Sequence, residues 1–350
     1  MIAQSNMTTN KALIFKKIPQ GYPVPGEHLV VESVHGGANS PAPPGGVVLQ
    51  SLYASFDPYM RPRMRSAEIK SYTPAFMLNQ PIDGALIGKV LRSQSAHYQA
   101  GDLVVGHLPI QQYIILTQDA ITKIKPLDNP LGIKDIRVFL GALGMPGLTA
   151  YSSLYEIGNP KKGDTIFVSA ASGAVGQLVG QLAKHEGLRV IGSVGSDEKL
   201  AYITQELQFD GGFNYKKEKP SDALKRLAPR GIDIYYENVG GEHLEAALDA
   251  LNDFGRIILC GLISQYNADP YPIGNLDNVL FKRLTLRGFI VSDPDMGSKY
   301  SEEHQRNLQA WIKEGSFKAL THEVESIDNA AGGLVGIFHG QNFGKAVLKF

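Results

Sequence analysis

Residues 168–176 are Val168-Ser-Ala-Ala-Ser-Gly-Ala-Val-Gly176. The segment before them is apolar, and the segment after them places apolar side chains on one helical face, at positions 175, 178, 179, 182 and 183. A strand, a turn of small residues and an amphipathic helix together are typical of a dinucleotide-binding turn. Gly173 would let the backbone approach a pyrophosphate, and Gly176 would let the helix pack closely on the strand. Ala171 replaces the first glycine of the G-x-G-x-x-G pattern, so a tight turn built only for packing is the alternative interpretation.

The chain around this turn alternates between strands and helices. We predict strands at 165–169, 189–193, 232–236, 256–260 and 284–289. Between and after them, helical periodicity predicts helices at 174–186, 197–207, 243–251 and 302–313. This alternation predicts βαβ units around a doubly wound parallel sheet over residues 136–314.

The first third of the chain has a different pattern. Short apolar segments are separated by Gly, Pro, Asn or Asp, at 28–34, 46–52, 85–91, 102–105 and 113–116, which predicts an antiparallel barrel or sandwich. The tail contains one predicted helix (329–338) and one predicted strand (345–350), too little for a core of its own. We therefore predict an α/β protein with one domain formed by 1–135 plus 315–350 and a second formed by 136–314.

Composition excludes several classes of protein. Lys plus Arg and Asp plus Glu both number 34, so the formal charge is zero and we expect neither a nucleic-acid partner nor an anionic membrane surface. The single cysteine excludes an intrachain disulfide and a Cys-rich zinc site. No apolar run reaches about 18 residues, and the start, MIAQSNMTTNKALIF, lacks the basic and apolar regions of a secretory signal. We expect a soluble, cytoplasmic protein.

Two further patterns are discounted. The nine histidines show no metal-binding spacing, and His107 is the only one that we considered as a ligand, so we expect no metal site. Tyr215-Lys-Lys-Glu-Lys219 has the Tyr-x-x-x-Lys spacing of short-chain dehydrogenases. Those two residues must share a helical face, whereas here we predict a charged connection that ends at Pro220.

The end of the second strand of the predicted parallel sheet indicates which dinucleotide is bound. An NAD enzyme usually has an acidic residue there, but this stretch is Gly192-Ser-Val-Gly-Ser196. Lys199 follows one helical turn later, and Tyr215 lies after the next strand. A missing acid and a nearby cation favour a 2′-phosphate, and therefore NADPH over NADH. Lys199 as a solvated surface lysine is the alternative, and Asp197 would repel the phosphate if its side chain turned inward.

Nine ordered blocks extend this pattern over nearly the whole chain. They are Asp57-Pro-Tyr-Met-Arg61, Gly144-Met-Pro-Gly-Leu-Thr-Ala-Tyr151, Val168–Gln177, Gly195-Ser-Asp-Glu-Lys199, Phe213-Asn-Tyr-Lys216, Glu237-Asn-Val-Gly-Gly241, Cys260-Gly-Leu-Ile-Ser-Gln-Tyr-Asn267, Gly288-Phe-Ile-Val-Ser-Asp293 and Asn342-Phe-Gly-Lys345. With them the chain resembles the zinc-independent medium-chain dehydrogenases/reductases. The most similar group is the NADPH-dependent alkenal/one oxidoreductases, which include leukotriene B4 12-hydroxydehydrogenase/prostaglandin reductase and the plant double-bond reductases.

The resemblance implies a GroES-like barrel domain and a Rossmann domain that binds NADPH/NADP⁺. It implies that the pyrophosphate lies on Gly173, Ala174, Val175 and Gly176, and the 2′-phosphate on Lys199 and Tyr215. It implies further cofactor contacts from Met145, Thr149, Asn238, Cys260, Gly261, Leu262, Ile263, Ser264, Gln265, Tyr266, Phe289, Ile290, Val291 and Asn342. Asn238 as a turn former, Cys260 as a buried strand end and Phe289 as a core residue are the alternatives.

The resemblance also implies the reaction, which is reduction of the C=C bond of an α,β-unsaturated aldehyde or ketone. Tyr266 would donate a hydrogen bond to the carbonyl oxygen while hydride adds to the β-carbon, and Tyr53 would line the pocket unless it is an ordinary strand residue. Residues 107–112 lack the tryptophan common in that strand, and 66–80 match weakly, so the substrate stays open. A quinone oxidoreductase of the zeta-crystallin type and a non-catalytic cofactor-binding protein are the alternatives. The resemblance also implies a homodimer.

Overall fold

The structure is a computed structural model that describes residues 10–350. Residues 1–9, on which part of the expectation about a secretory signal depends, lie outside the described residues. The chain forms two compact units. Of the described residues, the first comprises 10–132 with His322–Gln341 and Ala346–Phe350, and the second comprises Ile133–Thr321 with Asn342–Lys345. Within the described residues, no helix has the length and apolar character needed to cross a membrane.

The strands, in chain order, are β1 (Asn10–Phe15), β2 (Leu29–Val34), β3 (Val47–Ser55), β4 (Gln80–Pro81), β5 (Asp83–Ser93), β6 (Leu103–Pro109), β7 (Tyr113–Leu116), β8 (Ile124–Pro126), β9 (Thr165–Val168), β10 (Arg189–Val194), β11 (Gly211–Asn214), β12 (Ile232–Glu237), β13 (Leu251–Leu259), β14 (Thr285–Gly288), β15 (Thr321–Glu325) and β16 (Lys345–Lys349). The helices are α1 (Met60–Arg63), α2 (Met145–Ser153), α3 (Gly176–His185), α4 (Asp197–Ala201), α5 (Pro220–Leu227), α6 (Glu242–Ala250), α7 (Asn278–Phe281), α8 (Gly297–Glu314) and α9 (Ala330–Phe338).

The first unit is built from antiparallel sheets. Strands β15-β16-β3-β5-β6-β8 are hydrogen-bonded neighbours in that order, with β7 also on β3, and a smaller sheet has the order β2-β1-β4. Their inward-facing side chains form one apolar core, which includes Phe15, Leu49 and Leu86. An antiparallel sheet needs cover on only one face, which explains why these strands mix buried and exposed positions.

The second unit is a parallel sheet of strand order β11-β10-β9-β12-β13-β14. Its central strands are buried along nearly their whole length, as expected when helices cover both faces. Phe167 on β9 stacks on Tyr235 of β12, with ring centroids 5.0 Å apart. Connections run in opposite directions from β9, so the switch point of the sheet lies between β9 and β12. Ligands of doubly wound sheets bind at the carboxyl ends of the strands beside such a point.

The predicted fold class, a Rossmann sheet with an antiparallel β domain, is confirmed, but several boundaries differ. The segment predicted as one helix over 197–207 is α4 followed by a wider helical turn at Tyr202–Glu206. Helix α2 and the short strands β1, β8, β11 and β15 were not predicted. Tyr215–Lys219 is a connection that ends at Pro220, as predicted, but Pro220 then opens the unpredicted helix α5.

Part of the tail contacts the second compact unit. Residues 315–321 and 342–345 belong there. The buried side chain of Gln177 on α3 bonds both the carbonyl and the N–H of Leu320, at 3.0 and 3.1 Å, and Lys345 N–H donates to the Leu320 carbonyl at 2.9 Å. These polar bonds attach the tail locally, a feature that apolar periodicity does not encode. The domain boundaries at 135/136 and 314/315, which were placed from the sequence pattern, stay a prediction.

Candidate cofactor-binding and active site

The turn between β9 and α3 has a well-defined conformation. Ala171 N–H donates to the Ser193 carbonyl of β10 at 2.9 Å, which fixes the turn to the neighbouring strand. Gly173 N–H donates back to the Ala170 carbonyl at 2.9 Å. Ala170 has a φ of 48°, in the left-handed region that alanine adopts at a cost. The chain thereby turns sharply at the carboxyl end of β9 and enters the helix.

Close backbone contacts require a glycine at position 176 and leave little room for a side chain at position 173. A Cβ on Gly176 would lie 2.4 Å from the Ala170 carbonyl oxygen and 2.8 Å from Ala171 Cα. A Cβ on Gly173 would lie 3.1 Å from the same oxygen. Gly173 and Gly344 form an isolated parallel bridge, in which the Ala174 N–H faces the Gly344 carbonyl. Within residues 10–350, the backbone N–H groups of Val175 and Gly176 have no hydrogen-bond acceptor. Free N–H groups at the start of a helix attract an anion, so this turn fits the pyrophosphate of a dinucleotide.

Gly195 and Ser196 follow the end of β10, and Lys199 lies in α4. Ser196 caps α4 by accepting a hydrogen bond from Lys199 N–H at 3.2 Å, and the Lys199 side chain is half-buried. Burial, followed by the nearby charge of Lys216, lowers the pKa of Lys199, while Glu198 opposes this shift. Two ammonium groups that repel each other would be stabilised by a bound dianion. This part of the site therefore fits a 2′-phosphate.

Asp197 has its own partners at this corner. Its carboxylate accepts a hydrogen bond from Asn214 Nδ2 at 2.9 Å and forms an ion pair with Lys217. These two contacts lower the pKa of Asp197. The carboxylate that could have repelled a phosphate therefore stays ionised, with its negative charge paired with the Lys217 ammonium.

A buried carboxyl group joins the two turns at the switch point. Glu237, at the end of β12, accepts hydrogen bonds on Oε1 from Val239 N–H (2.6 Å), Gly240 N–H (2.8 Å) and the Tyr235 hydroxyl (2.8 Å). The Ser169 hydroxyl donates to the same oxygen at 3.2 Å. Burial raises the pKa of Glu237 against the effect of these donors. The group holds the turn after β12 in register with the turn after β9.

Asn238 takes part in the same junction. Its Nδ2 donates to the Ser169 carbonyl at 2.8 Å, and its backbone N–H donates to the Ser169 hydroxyl at 2.9 Å. These bonds support the interpretation of Asn238 as a turn-forming residue, and its half-buried side chain lies beside the phosphate turn.

The loop 260–266 is attached to this junction through its backbone. The N–H groups of Cys260 and Gly261 both donate to the Glu237 carbonyl at 3.0 Å, and Ile263 N–H donates to the Asn238 carbonyl at 3.1 Å. Ser264 N–H donates to the Val239 carbonyl at 3.0 Å. The loop therefore lies at the carboxyl edge of the sheet, beside the switch point.

Tyr266 ends this loop, and its ring turns back over it. Its hydroxyl oxygen lies 3.5 Å from Leu262 N, and a Cβ on Gly261 would lie 3.3 Å from the same oxygen. The side chain is half-buried. Cys260 lies below, where burial raises the pKa of its thiol to about 11. A protonated thiol is a poor nucleophile, which agrees with the interpretation of Cys260 as a strand end without chemistry of its own.

Helix α2 contacts the same edge of the sheet. Thr149 is buried, and its hydroxyl donates to Met145 Sδ at 3.4 Å. One turn later, Ser153 bonds the Thr149 carbonyl and the Tyr236 hydroxyl of β12, both at 2.7 Å. Met145 and Thr149, two of the predicted cofactor contacts, thus lie on a helix that is hydrogen-bonded to the strand ending at Glu237.

Two other predicted segments also lie in the second unit. After β14, Ile290 N–H donates to the Asp293 carboxylate at 2.8 Å, and Ile290 carbonyl accepts from Asp293 N–H at 2.9 Å. Both backbone groups of Ile290 are thus used inside this turn. Asn342 Nδ2 donates to the Gly344 carbonyl at 2.8 Å, and Gly344 N–H donates to the Ser172 carbonyl of the phosphate turn at 3.1 Å.

Tyr53 belongs to the first unit. It lies half-buried on β3, opposite Ile87 of β5 and Lys349 of β16. His107, considered from the sequence as a ligand, bonds Asp83 at 2.6 Å, and Arg63 pairs with the same carboxylate at 2.5 Å. Burial raises the pKa of Asp83, but these partners outweigh it and lower the pKa to about 2. No group of three or more potential metal ligands occurs in the described part of the chain.

Glu237, Ser169 and Ser153 were missed by the sequence analysis. The available signal for Glu237 was an acidic residue placed directly after the largely apolar segment 232–236. The two serines gave none, because their contacts join segments that are distant in the chain.

Comparisons with known proteins agree with this geometry. The family model described as "Zinc-binding dehydrogenase" matches residues 174–306, and the model described as "N-terminal domain of oxidoreductase" matches residues 11–124. The NADP-dependent oxidoreductase RED1 of Cochliobolus heterostrophus is 51% identical over 346 residues, which cover 98% of each chain. A 2-alkenal reductase (NADP(+)-dependent) of Nicotiana tabacum is 42% identical, covering 97% of each chain. The crystal structure of CurA from Vibrio vulnificus in complex with NADPH is 34% identical, has a TM-score of 0.86, and covers 97% of this chain and 98% of that one.

The chain belongs to the medium-chain dehydrogenase/reductase family, among its alkenal reductase-type members. It is an NADP(H)-dependent oxidoreductase. The resemblance stated from the sequence and the predicted cofactor, NADPH, are both confirmed.

Proposed function

We propose that this oxidoreductase reduces the C=C bond of α,β-unsaturated aldehydes and ketones with NADPH. The observation that carries the proposal is the loop 260–266, which the Glu237 carbonyl and its neighbours hold at the carboxyl edge of the Rossmann sheet, with Tyr266 folded over it. The 2-alkenal reductase of Nicotiana tabacum, at 42% identity, supports this substrate class.

Tyr266 acts on the substrate oxygen in this proposal. NADPH, when bound, supplies the hydride that the β-carbon receives. The Tyr266 phenol donates a hydrogen bond to the carbonyl oxygen, and this bond strengthens as negative charge develops on that oxygen. Its position is preorganised, because the backbone bonds of Cys260, Gly261 and Ile263 fix the loop before substrate arrives. Tyr53 lines the substrate pocket, and solvent protonates the α-carbon.

The cofactor contacts proposed from the chain fall into three groups. The turn at 173–176 holds the pyrophosphate, and Lys199 and Tyr215 hold the 2′-phosphate. The groups along the remainder of the cofactor are Met145, Thr149, Asn238, the loop 260–266, Phe289, Ile290, Val291 and Asn342. Within this group, the backbone of Phe289, Ile290 and Val291 contacts the carboxamide of the nicotinamide.

Steady-state kinetics with NADPH and a series of enals, enones and quinones tests the proposal. We expect NADPH consumption with enals or enones, and a loss of about 10²-fold in kcat for Tyr266→Phe, the usual effect of removing one oxyanion donor. Tyr98→Phe is the matched control, because its hydroxyl donates to the Ile124 carbonyl in the first unit, at 2.8 Å. Turnover of quinones alone would favour the zeta-crystallin alternative. Tight NADPH binding without turnover of any acceptor would favour a non-catalytic protein.

We also propose a cytoplasmic homodimer. Strand β14 is an edge of the six-stranded sheet, and Leu280 and Phe281 beside it are 73% and 63% exposed. Large exposed apolar side chains next to a free strand edge are typical of an interface. Sedimentation equilibrium should give twice the chain mass, and a monomer at assay concentrations would contradict this part.

A further inference from the structure

His243 occupies an unusual position in the Rossmann unit. It lies in the first turn of α6, is 5% exposed, and stacks nearly parallel to two phenylalanine rings. Its centroid lies 6.4 Å from that of Phe167, at an interplanar angle of 8°, and 6.3 Å from that of Phe213, at 18°. The imidazole thus lies in the aromatic core under the carboxyl edge of the sheet.

The His243 imidazole interacts with its neighbours through its ring rather than through a hydrogen bond from Nε2. Nε2 is buried and has no hydrogen-bond partner within residues 10–350. Burial lowers the pKa of His243 to about 4, so the ring is neutral near pH 7. A buried polar atom without a partner is destabilising, and an apolar ring of the same shape would avoid that cost. What this side chain supplies to its surroundings is therefore its shape and its aromatic faces.

Tyr215 is the residue that His243 contacts toward the surface. The two rings meet edge to face, with centroids 5.4 Å apart and an interplanar angle of 77°. Tyr215 N–H donates to the Val194 carbonyl at 3.0 Å, and a Cβ on Gly195 would lie 2.9 Å from the Tyr215 hydroxyl oxygen. The phenol therefore lies directly over the end of β10, while the residue as a whole is 42% exposed.

We propose that His243 is a positioning residue for discrimination between NADPH and NADH. Its ring supports Tyr215 from the core side, and so holds the phenol hydroxyl over Gly195, beside the cap of α4 that carries Lys199. The inference rests on the proposed assignment of Tyr215 to the 2′-phosphate. His243 itself contacts no part of the phosphate in this account.

Dissociation constants for NADPH and NADH, measured by titration of cofactor fluorescence, test the inference without catalysis. We expect His243→Ala to weaken NADPH binding by about two- to ten-fold, the usual worth of an edge-to-face aromatic pair, and to leave NADH binding unchanged. His243→Phe should restore NADPH affinity to within about two-fold of the native value. Leu248→Ala, a fully buried residue of the same helix, is the control for general destabilisation and should keep the native NADPH/NADH ratio.

Tyr215→Phe separates the failure of this inference from the failure of the site assignment. If Tyr215→Phe lowers the preference for NADPH but His243→Ala does not, His243 has no positioning role. A native preference in Tyr215→Phe would remove Tyr215 from the phosphate site, and the inference with it. Equal losses for both cofactors in His243→Ala would show a merely structural role.

Discussion

Gly176→Ala is the sharpest perturbation of the proposed phosphate site. The new Cβ would lie 2.4 Å from the Ala170 carbonyl oxygen and 2.8 Å from Ala171 Cα, and both of these neighbours are backbone atoms. Since ordinary contact requires about 3.5 Å, the turn has to move by roughly 1 Å. The N–H groups of Val175 and Gly176 then lose their alignment on the pyrophosphate. A charge-assisted hydrogen bond contributes about 1.5–3 kcal/mol, so we expect affinity to fall about ten- to a hundred-fold.

Calorimetric titration of the variant with NADPH and with NADH measures this loss. Because the two cofactors share the pyrophosphate, both affinities should fall by the same factor. Gly173→Ala, whose Cβ would lie 3.1 Å from the Ala170 oxygen, should give a smaller loss in the same direction, and it remains informative if Gly176→Ala does not fold. Gly332→Ala in α9, with nothing within 4 Å of the new Cβ, is the matched control and should bind normally. Native affinity in a folded Gly176→Ala protein would refute the reasoning.

Three further changes have expected outcomes. Lys199→Ala should weaken NADPH binding about ten- to a hundred-fold with little change for NADH, in the same titrations, and equal losses would contradict its assignment to the 2′-phosphate. Glu237→Ala should lower the free energy of unfolding by about 3 kcal/mol in urea titrations, because the donors of Tyr235, Ser169 and the following turn lose their acceptor. Glu237→Gln should lower the free energy of unfolding clearly less, and equal losses in the two variants would show that the accepting oxygen is unimportant. The free energy of unfolding should decrease as the pH falls from 6.5 toward 4, because His243 binds a proton in the unfolded chain more readily than in the buried site. At about 1.4 kcal/mol per pH unit, this residue contributes about 3 kcal/mol to the decrease. An unchanged dependence of the free energy of unfolding on pH in His243→Phe would contradict this prediction.

The parallel sheet could be predicted because its signals are local. Small residues between an apolar strand and an amphipathic helix predicted the turn at 168–176, and the missing acid at 192–196 predicted the cofactor. Boundaries were less predictable where one residue type serves two structures. Pro220 was interpreted as the end of a charged connection, yet its fixed φ and missing N–H also suit the first turn of a helix, which is α5.

Other parts of the site depend on contacts between distant segments. The sequence did not determine whether the Asp197 side chain would face a bound phosphate. Its partners Asn214 and Lys217 come from the next strand and from the connection after that strand. The buried carboxyl of Glu237 and the ring contact between His243 and Tyr215 likewise join separate elements. No periodicity encodes such pairs, because only the assembled sheet brings them together.

A crystal structure of the protein with NADPH bound tests the central claim most directly. The account predicts the pyrophosphate oxygens within hydrogen-bond distance of the N–H groups of Val175 and Gly176 and the 2′-phosphate within reach of Lys199 Nζ. A pyrophosphate located away from the start of α3, with Lys199 directed into solvent, would contradict it.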